Sequence, residues 1–434
     1  MCEILICINK YSITRDGCQV EYRAFKFRIY PTLEQKQKFS EFFGAKRWVY
    51  NHFLHENKTR FLNQEKHLSN YDINNIITEL KKEPDTNWLR NIDDWCLKHA
   101  SEDLSNAYQQ FFNSIKGKRK GPKIDTPRFK SKDNRQSYRT RNVKVNFLHN
   151  TIYLPKIKNV KCVFHRQFEG AIKSSTITKT PSNKYFVSLL VEETTKLLPT
   201  THQEVGIDLG LKDLCILSNG IKFNHPEEML SKAKINLKRQ QKILSRKTKG
   251  SNNYQKQRIK VSRCYEKITN IRNDYYHNIS SYLVQNFDAI YMENLNIKGM
   301  LQNRKLSRKI HETAWATLVA MINYKAAKYG RTFHQIGTFV PTSKTCSCCG
   351  FKLEKLKLST REWECPECNT IHDRDLNAAI NIKNFGQLAV YDQIVTSHAT
   401  GEGDKIPSAL MKMITKIEKS GVNIPVNHGI EQAT

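Results

Sequence analysis

Acidic residues are the scarce class in this 434-residue sequence. Asp and Glu number 41 against 71 Lys and Arg, giving a formal net charge of +30 and a pI near 9.6. A compact chain with that excess repels itself unless a polyanion offsets it. Nucleic acid is the partner this points to, through phosphate contacts and counterion release. The plainer alternative is a generic basic protein that adheres to any polyanion. Long apolar runs are also missing, and none could span a bilayer. The N-terminal stretch Met1–Thr14 is partly apolar, but Glu3 and Lys10 interrupt it, so it lacks the clean core of a secretory signal. Internal repeats are absent. Twelve cysteines are present but not spread as a disulfide framework would need, since five fall between Cys346 and Cys368. A soluble protein of a reducing compartment is expected, with no membrane partner.

The length suits two to four domains. Charge is uneven along it. The tail from Gly386 to Thr434 has four lysines and five acids, so the first 385 residues carry +31. That tail, with scattered Gly, Pro and Thr and weak periodicity, is expected to be mostly disordered over 387–434.

Tyr22–Tyr30 (YRAFKFRIY) alternates apolar and basic residues, the period of a strand with one basic face. Pro31 stops it, and Thr32 with Gln35 forms a capping box that opens a helix. Phe39, Phe42, Phe43, Trp48, Tyr50 and Phe53 follow at helical spacing, and Leu97, Ala100, Leu104, Ala107 and Phe111 mark a second helix. Such aromatic stripes are more often core than base-stacking platforms. Between Lys116 and Arg141 there are eleven Lys and Arg and two acids. This run reads as a nucleic-acid-gripping segment, with Lys118, Arg119, Lys120, Arg128 and Lys130 as candidate contacts, or else as a solvated loop. Strand patterns at Val143–Phe147, Thr151–Leu154, Val160–Phe164, Ile172–Thr178 and Tyr185–Val191 suggest a small barrel or sandwich.

A new unit begins at Val205. Two strands are followed by two long basic helices around the Lys249–Asn253 loop. Then come a buried strand (AIYMEN), a helix over Ala314–Tyr329, an apolar strand into Phe339, and a last helix near Asp375. The alternation predicts an α/β layer with a mixed sheet.

Two constellations carry chemistry. Cys346-x-x-Cys349 and Cys365-x-x-Cys368, fifteen residues apart, have the spacing of a four-thiolate zinc ribbon. A redox dithiol pair is the competing reading, and Cys348 could replace a neighbour as ligand. The shell would be closed, so the zinc would be structural. The second constellation is Asp208 in GIDLG, Glu293 closing the strand Ala289–Glu293, and Asp375 before the helix LNAAINI. Asp375 alone would read as a helix N-cap. Three acids in one α/β unit suit phosphodiester hydrolysis, in which two Mg²⁺ ions can activate water and stabilise the leaving oxygen.

GIDLGLKDLCILSNG, IYMENLNIKGM and HDRDLNAAINI resemble, in order, the three RuvC motifs of TnpB proteins from insertion sequences of the IS200/IS605 type. TSKTCSCCG…CPEC lies between the second and third, as in that family. YRAFKFRIYPTLEQKQKF, FFNSIKGKRKGPKIDTPRFKSK and AWATLVAMINYKAAKYGR are similar as well, so the resemblance runs from about Tyr22 to Gly386. It implies a transposon-encoded, RNA-guided DNA endonuclease related to type V CRISPR effectors, cytoplasmic and nucleoid-associated in a prokaryotic host. Its partners would be a guide RNA from the transposon end and a double-stranded DNA target.

The implied fold is multidomain α/β plus β. A small β-barrel wedge domain (22–31 and 128–200) and a helical recognition lobe (32–127) would precede a RuvC, ribonuclease H-like nuclease domain (201–345 and 369–386) with a zinc-ribbon insert (346–368). Residues 1–21 have no counterpart and are expected to be disordered or to precede the true start. Carried over, Asp208, Glu293 and Asp375 are the catalytic and Mg²⁺-binding acids, with Asp373 the alternative to Asp375. Rival readings are a transposase that joins DNA ends itself, a guided DNA-binding protein without cleavage, and a Holliday-junction resolvase. All three motifs are intact, which favours cleavage.

Overall fold

A computed structural model gives the structure, which describes residues 12–13 and 18–398 without 120, 134, 339 and 358; side chains are described over 22–390. The chain divides into two compact units, residues 1–194 with 240–263 and residues 195–239 with 264–434.

The first unit starts with β1 (Ser12–Ile13) and β2 (Cys18–Tyr30), so strand structure begins before Tyr22, inside the segment expected to be an unstructured extension. The rest of residues 1–17 lie outside the described residues. Along β2 the alternation acts as expected. Phe25, Phe27 and Ile29 are buried, while Lys26 and Arg28 sit over the Phe186 ring at 4.6 and 5.1 Å. Thr32 caps α1 (Leu33–Leu62), its hydroxyl accepting from the Gln35 N–H while Gln35 reaches back to the Thr32 N–H. One face of α1 buries Phe39, Phe42, Phe43 and Phe53, which makes the aromatic stripe core.

α2 (Asn70–Leu80), a 3₁₀ turn at Asn87–Asn91 and α3 (Asp94–Ile115) complete the helices of this unit's N-terminal part. The remaining strands are β3 (Gln136–Thr140), β4 (Lys144–Asn146), β5 (Thr151–Leu154), β6 (Lys158–Val163), β7 (Ala171–Lys179) and β8 (Tyr185–Lys196). They join β2 in one sheet of order β3-β7-β8-β2-β6-β5-β4. Among the described residues its end strands β3 and β4 do not pair, so the path expected to close as a barrel is open. Helices and sheet share a single hydrophobic core.

The second unit is built on β9 (Glu204–Leu209), β10 (Asp213–Leu217), β11 (Lys222–Asn224), β12 (Ala289–Glu293) and β13 (Thr332–Ile336). α4 (Glu227–Ser245) and α5 (Asn252–Asn286) connect β11 to β12, and α6 (Ile297–Met300), α7 (Ser307–Thr313) and α8 (Trp315–Tyr329) connect β12 to β13. The strand order is β11-β10-β9-β12-β13. β10 runs antiparallel to both β9 and β11, whereas β12 is parallel to both β9 and β13. Parallel neighbours need a long crossover, which the helical connections supply. Phe339 lies outside the described residues, and the strand expected to run into it ends at Ile336.

The two faces of this sheet are covered by different helices. Val205, Ile207, Leu209, Ile290 and Met292 point to the core shared with α5 and α8. Because side chains alternate along a strand, Gly206, Asp208, Tyr291 and Glu293 take the other face. α9 (Arg374–His398) packs there, with Ile382 and Phe385 against Ala289 and Tyr291. A Cβ on Gly206 would come within 2.1 Å of the Ala379 carbonyl oxygen, and one on Gly386 within 2.2 Å of the Tyr291 ring. The missing side chains let α9 lie directly on the sheet. Gly386 therefore does not end the helix. The tail expected to lose order beyond it stays helical to His398, with Leu388 buried, and residues 399–434 lie outside the described residues. Among the described residues no helix is long and apolar enough to cross a membrane.

Candidate functional site

The register of β9 and β12 sets two of the predicted acids side by side. Met292 pairs with Ile207 across the parallel ladder, so Glu293 and Asp208 stand at the next level on adjacent strands, about 4.8 Å apart in backbone terms. Both face α9. Burial first, then repulsion from Glu293 and Asp375, pushes the Asp208 carboxyl up to about 7, against the opposing pull of Arg374 and the Leu209 N–H. Glu293 is raised by burial, so the cost of the pair falls on Asp208, the more enclosed group. Carboxylates crowded without a compensating cation behave in this way.

The start of α9 separates the two candidates for the third acid. Asp373, the last residue of β15 (Ile371–Asp373), is the helix cap: its Oδ1 accepts the N–H groups of Asp375 and Leu376 at 3.0 and 3.1 Å. Its Oδ2 takes Lys222 Nζ at 3.0 Å. Burial raises the Asp373 carboxyl, but these donors outweigh it and leave it below the usual carboxylate range. Asp375 is in the first helical turn, receives Arg361 Nη1 at 3.3 Å, and acts electrostatically on Asp208. The capping role that Asp375 could have had by sequence therefore belongs to Asp373.

The four predicted zinc ligands converge. Sγ of Cys346 lies 3.6 Å from that of Cys368, Sγ of Cys349 lies 3.5 Å from that of Cys365, and all four are within 4.8 Å of one another. A tetrahedral shell with zinc–sulfur bonds of about 2.3 Å places its sulfurs roughly 3.8 Å apart, so this cluster could hold zinc. Hydrogen bonds with Thr370 draw the Cys368 thiol down to about 6, while burial pushes the Cys346 and Cys349 thiols up. Cys348 is exposed and outside the cluster. Among the described residues no other group of His, Cys, Asp or Glu is gathered this closely.

Of the basic candidates, Lys118 is exposed. Arg119 donates to the Pro122 carbonyl, and Arg128 pairs with Asp125 at 2.8 Å. Lys130 is half-buried. It lies 3.6 Å over the Tyr50 ring and 3.7 Å from Asp103, and its backbone is bracketed by the Asn51 amide. Its engagement is with its own fold. Lys120 lies outside the described residues.

Other residues entered the site unannounced. His372 Nε2 is 3.0 Å from Cys346 Sγ, within hydrogen-bonding reach of that sulfur. Its place two residues after Thr370, which bonds Cys368, was the available signal. Asn377 and Asn381, hidden in the apolar LNAAINI helix, are buried at 1% and 3% exposure.

Strand order, carboxylate face and cysteine cluster together define an acid-bearing α/β unit with a four-cysteine insert that could hold zinc. Comparison with known proteins narrows this. Residues 187–304 match the family model described as "Probable transposase" (OrfB of IS605), and residues 315–382 match a Cas12f1-like TNB domain. Residues 22–66 match a model described as a helix-turn-helix domain, although they form the end of β2 and one unbroken helix, α1. A "Putative RNA-guided DNA endonuclease" from Streptomyces pristinaespiralis is 36% identical over 371 residues, covering 85% of this chain and 90% of the relative. "Putative RNA-guided DNA endonuclease InsQ" from Escherichia coli K12 is 29% identical, covering 85% and 93%. A cryo-EM structure of a Cas12f1–sgRNA–target DNA complex superposes with a TM-score of 0.48 at 13% identity, over 84% of this chain and 99% of that one. The chain belongs to the TnpB family.

Proposed function

We propose that this protein is an RNA-guided DNA endonuclease that hydrolyses phosphodiester bonds at Asp208, Glu293 and Asp375. The observation that carries the reading is that Asp208 and Glu293 share one sheet face while Asp375, on the helix packed there, acts on Asp208, whose carboxyl is pushed to about 7 by burial and by these two neighbours. A carboxylate group that crowded suits divalent cations. Two Mg²⁺ ions there would supply activation of a water and charge stabilisation at the leaving 3′-oxygen.

Each protein group has a part in this. Asp208 and Glu293 offer oxygens from adjacent strands held rigid by the ladder. Asp375 offers a third from the helix above them, oriented by Arg361. Asp373 holds the helix start and leaves Asp375 available. The net charge of +30 provides the phosphate-binding surface. Sequence choice would be delegated to base pairing with a guide RNA derived from the transposon end, in keeping with the names of the relatives above. The family description as a transposase keeps direct DNA strand transfer as the rival.

The test is cleavage by the purified protein with the RNA that accompanies it from the cell. That RNA is sequenced, and duplexes matching its 3′ segment are offered with Mg²⁺ beside an Asp208→Ala control. Guide-dependent cutting that falls below about a thousandth in the control, a loss of roughly 4 kcal/mol of transition-state stabilisation, supports the reading. Bound RNA without cutting points to a guided binder, and DNA joining without bound RNA restores the transposase.

A further inference from the structure

We infer that Asn377 and Asn381 are positioning residues for the third carboxylate, fastening the segment that leads into the zinc knuckle to α9 so that cation binding at Asp208 and Asp375 depends on the ribbon. The inference rests on the nuclease reading for the role of those acids.

The two asparagines are one turn apart on α9, and their amides meet the same stretch of chain. Asn377 Nδ2 donates to the carbonyls of Thr345 at 2.8 Å and Thr342 at 3.4 Å. Asn381 Nδ2 donates to the same two carbonyls, at 2.8 Å for Thr342 and 2.6 Å for Thr345. Asn377 Oδ1 accepts the Ser347 N–H at 2.9 Å, beside the ligand Cys346. Both ends of the Asn377 amide are thus committed, which fixes its rotamer. Thr342 and Thr345 are themselves buried at 3%.

Asp375 sits between two such attachments. On its N-terminal side His372 bonds Cys346 Sγ, and the Arg374 N–H donates to the Arg361 carbonyl at 2.8 Å. On its C-terminal side stands Asn377. Arg361, just before β14 (Glu362–Glu364), touches the Asp375 carboxylate itself. The first turn of α9 is therefore bound to the ribbon on either side of the acid, while Gly206 lets the following turns lie on β9. Burying two amides is costly unless they are satisfied, and an apolar pair would fill the same space at lower cost. What the amides add is register: carbonyl acceptors admit one placement of the helix along the knuckle segment, where packed methyl groups would tolerate several.

The experiment uses the full chain and the variants Asn377→Ala and Asn381→Ser. Zinc content is measured by elemental analysis and Mn²⁺ affinity by EPR titration, with Asp208→Ala defining the site. Neither asparagine touches a cation site, so a merely structural role would leave Mn²⁺ affinity unchanged. The expected result is retained zinc with Mn²⁺ affinity weakened about tenfold, as for residues that orient metal ligands. Affinity within about twofold of the parent in both variants, well short of that loss, overturns the inference.

A further arm needs no variant to fold: zinc is stripped from the parent protein with an organomercurial. The same loss of Mn²⁺ affinity is expected, and unchanged affinity again overturns the inference. Should the parent bind Mn²⁺ at Asp208 yet cut no guided DNA, the nuclease reading fails while the coupling is still decided by these titrations.

Discussion

Replacing Gly206 by alanine tests the geometry of the site without touching a ligand. The residue lies in mid-strand two positions before Asp208, and its requirement is space. A Cβ there would stand 2.1 Å from the Ala379 carbonyl oxygen, 2.5 Å from Lys383 N and 2.9 Å from Lys383 Cβ. The first two are backbone atoms of α9 and cannot rotate away. Restoring an ordinary carbon–oxygen contact of about 3.3 Å requires helix and strand to part by about 1 Å. Overpacking of this kind costs about 2 kcal/mol, which lowers Tm by roughly 4–8 °C in a unit of this size.

The larger effect is on chemistry, because Asp375 moves with α9 while Asp208 and Glu293 stay with the sheet. A displacement of about 1 Å in a catalytic constellation can cost roughly a hundredfold in rate. Gly206→Ala should therefore bind guide RNA as the parent does and cut matched DNA about a hundredfold more slowly under single-turnover conditions. Cutting within about twofold of the parent, well short of that cost, would refute the claim that contact between β9 and α9 sets the position of the third acid.

Other perturbations address other parts of the molecule. Cys365→Ser should release zinc and expose residues 346–368 to limited proteolysis, since structural zinc sites supply roughly 10 kcal/mol in isolated peptides; a protease-resistant ribbon in that variant would count against the assigned shell. In metal-free protein Asp208, raised to about 7 when folded, holds its proton where the unfolded chain has lost it. Its stabilising contribution is thus full below the unfolded value near 4 and is lost as pH rises towards 7. Melting curves across that window should show the parent losing stability relative to Asp208→Asn, and parallel curves would contradict the shift. Lys118→Ala should reduce the salt dependence of nucleic-acid binding by about one phosphate contact and leave Tm unchanged. Lys130→Ala should instead cost about 1 kcal/mol of stability through its lost contact with Tyr50, and the reverse pattern would return Lys130 to the binding surface.

What could be read in the sequence was whatever a period or a spacing encodes. Alternation in YRAFKFRIY placed β2 and the apolar run AIYMEN placed β12, and the capping box at Thr32 and Gln35 located the start of α1. The two CxxC pairs predicted a cluster that the fold assembles. Period alone could not rank Asp373 against Asp375, because both precede the same apolar helix. In the fold the two differ in that Asp373 accepts the free N–H groups of the first turn, a contact no sequence period encodes. The chain beyond Gly386 was expected to lose order because of its scattered Gly, Pro and Thr and weak periodicity, yet the helix continues through the glycine. What requires the glycine there, the Tyr291 ring pressed against the helix backbone, is a long-range contact with no local signature.

Asn377 and Asn381 were hidden for a related reason. A helix read for its apolar stripe assigns its polar positions to solvent, yet α9 is covered on two sides. Ile382 and Phe385 meet the sheet, and the asparagines meet the knuckle segment. A helix that must hold its register against two partners at once cannot rely on methyl packing for both. This accounts for satisfied amides in a stripe where sequence reasoning expects water.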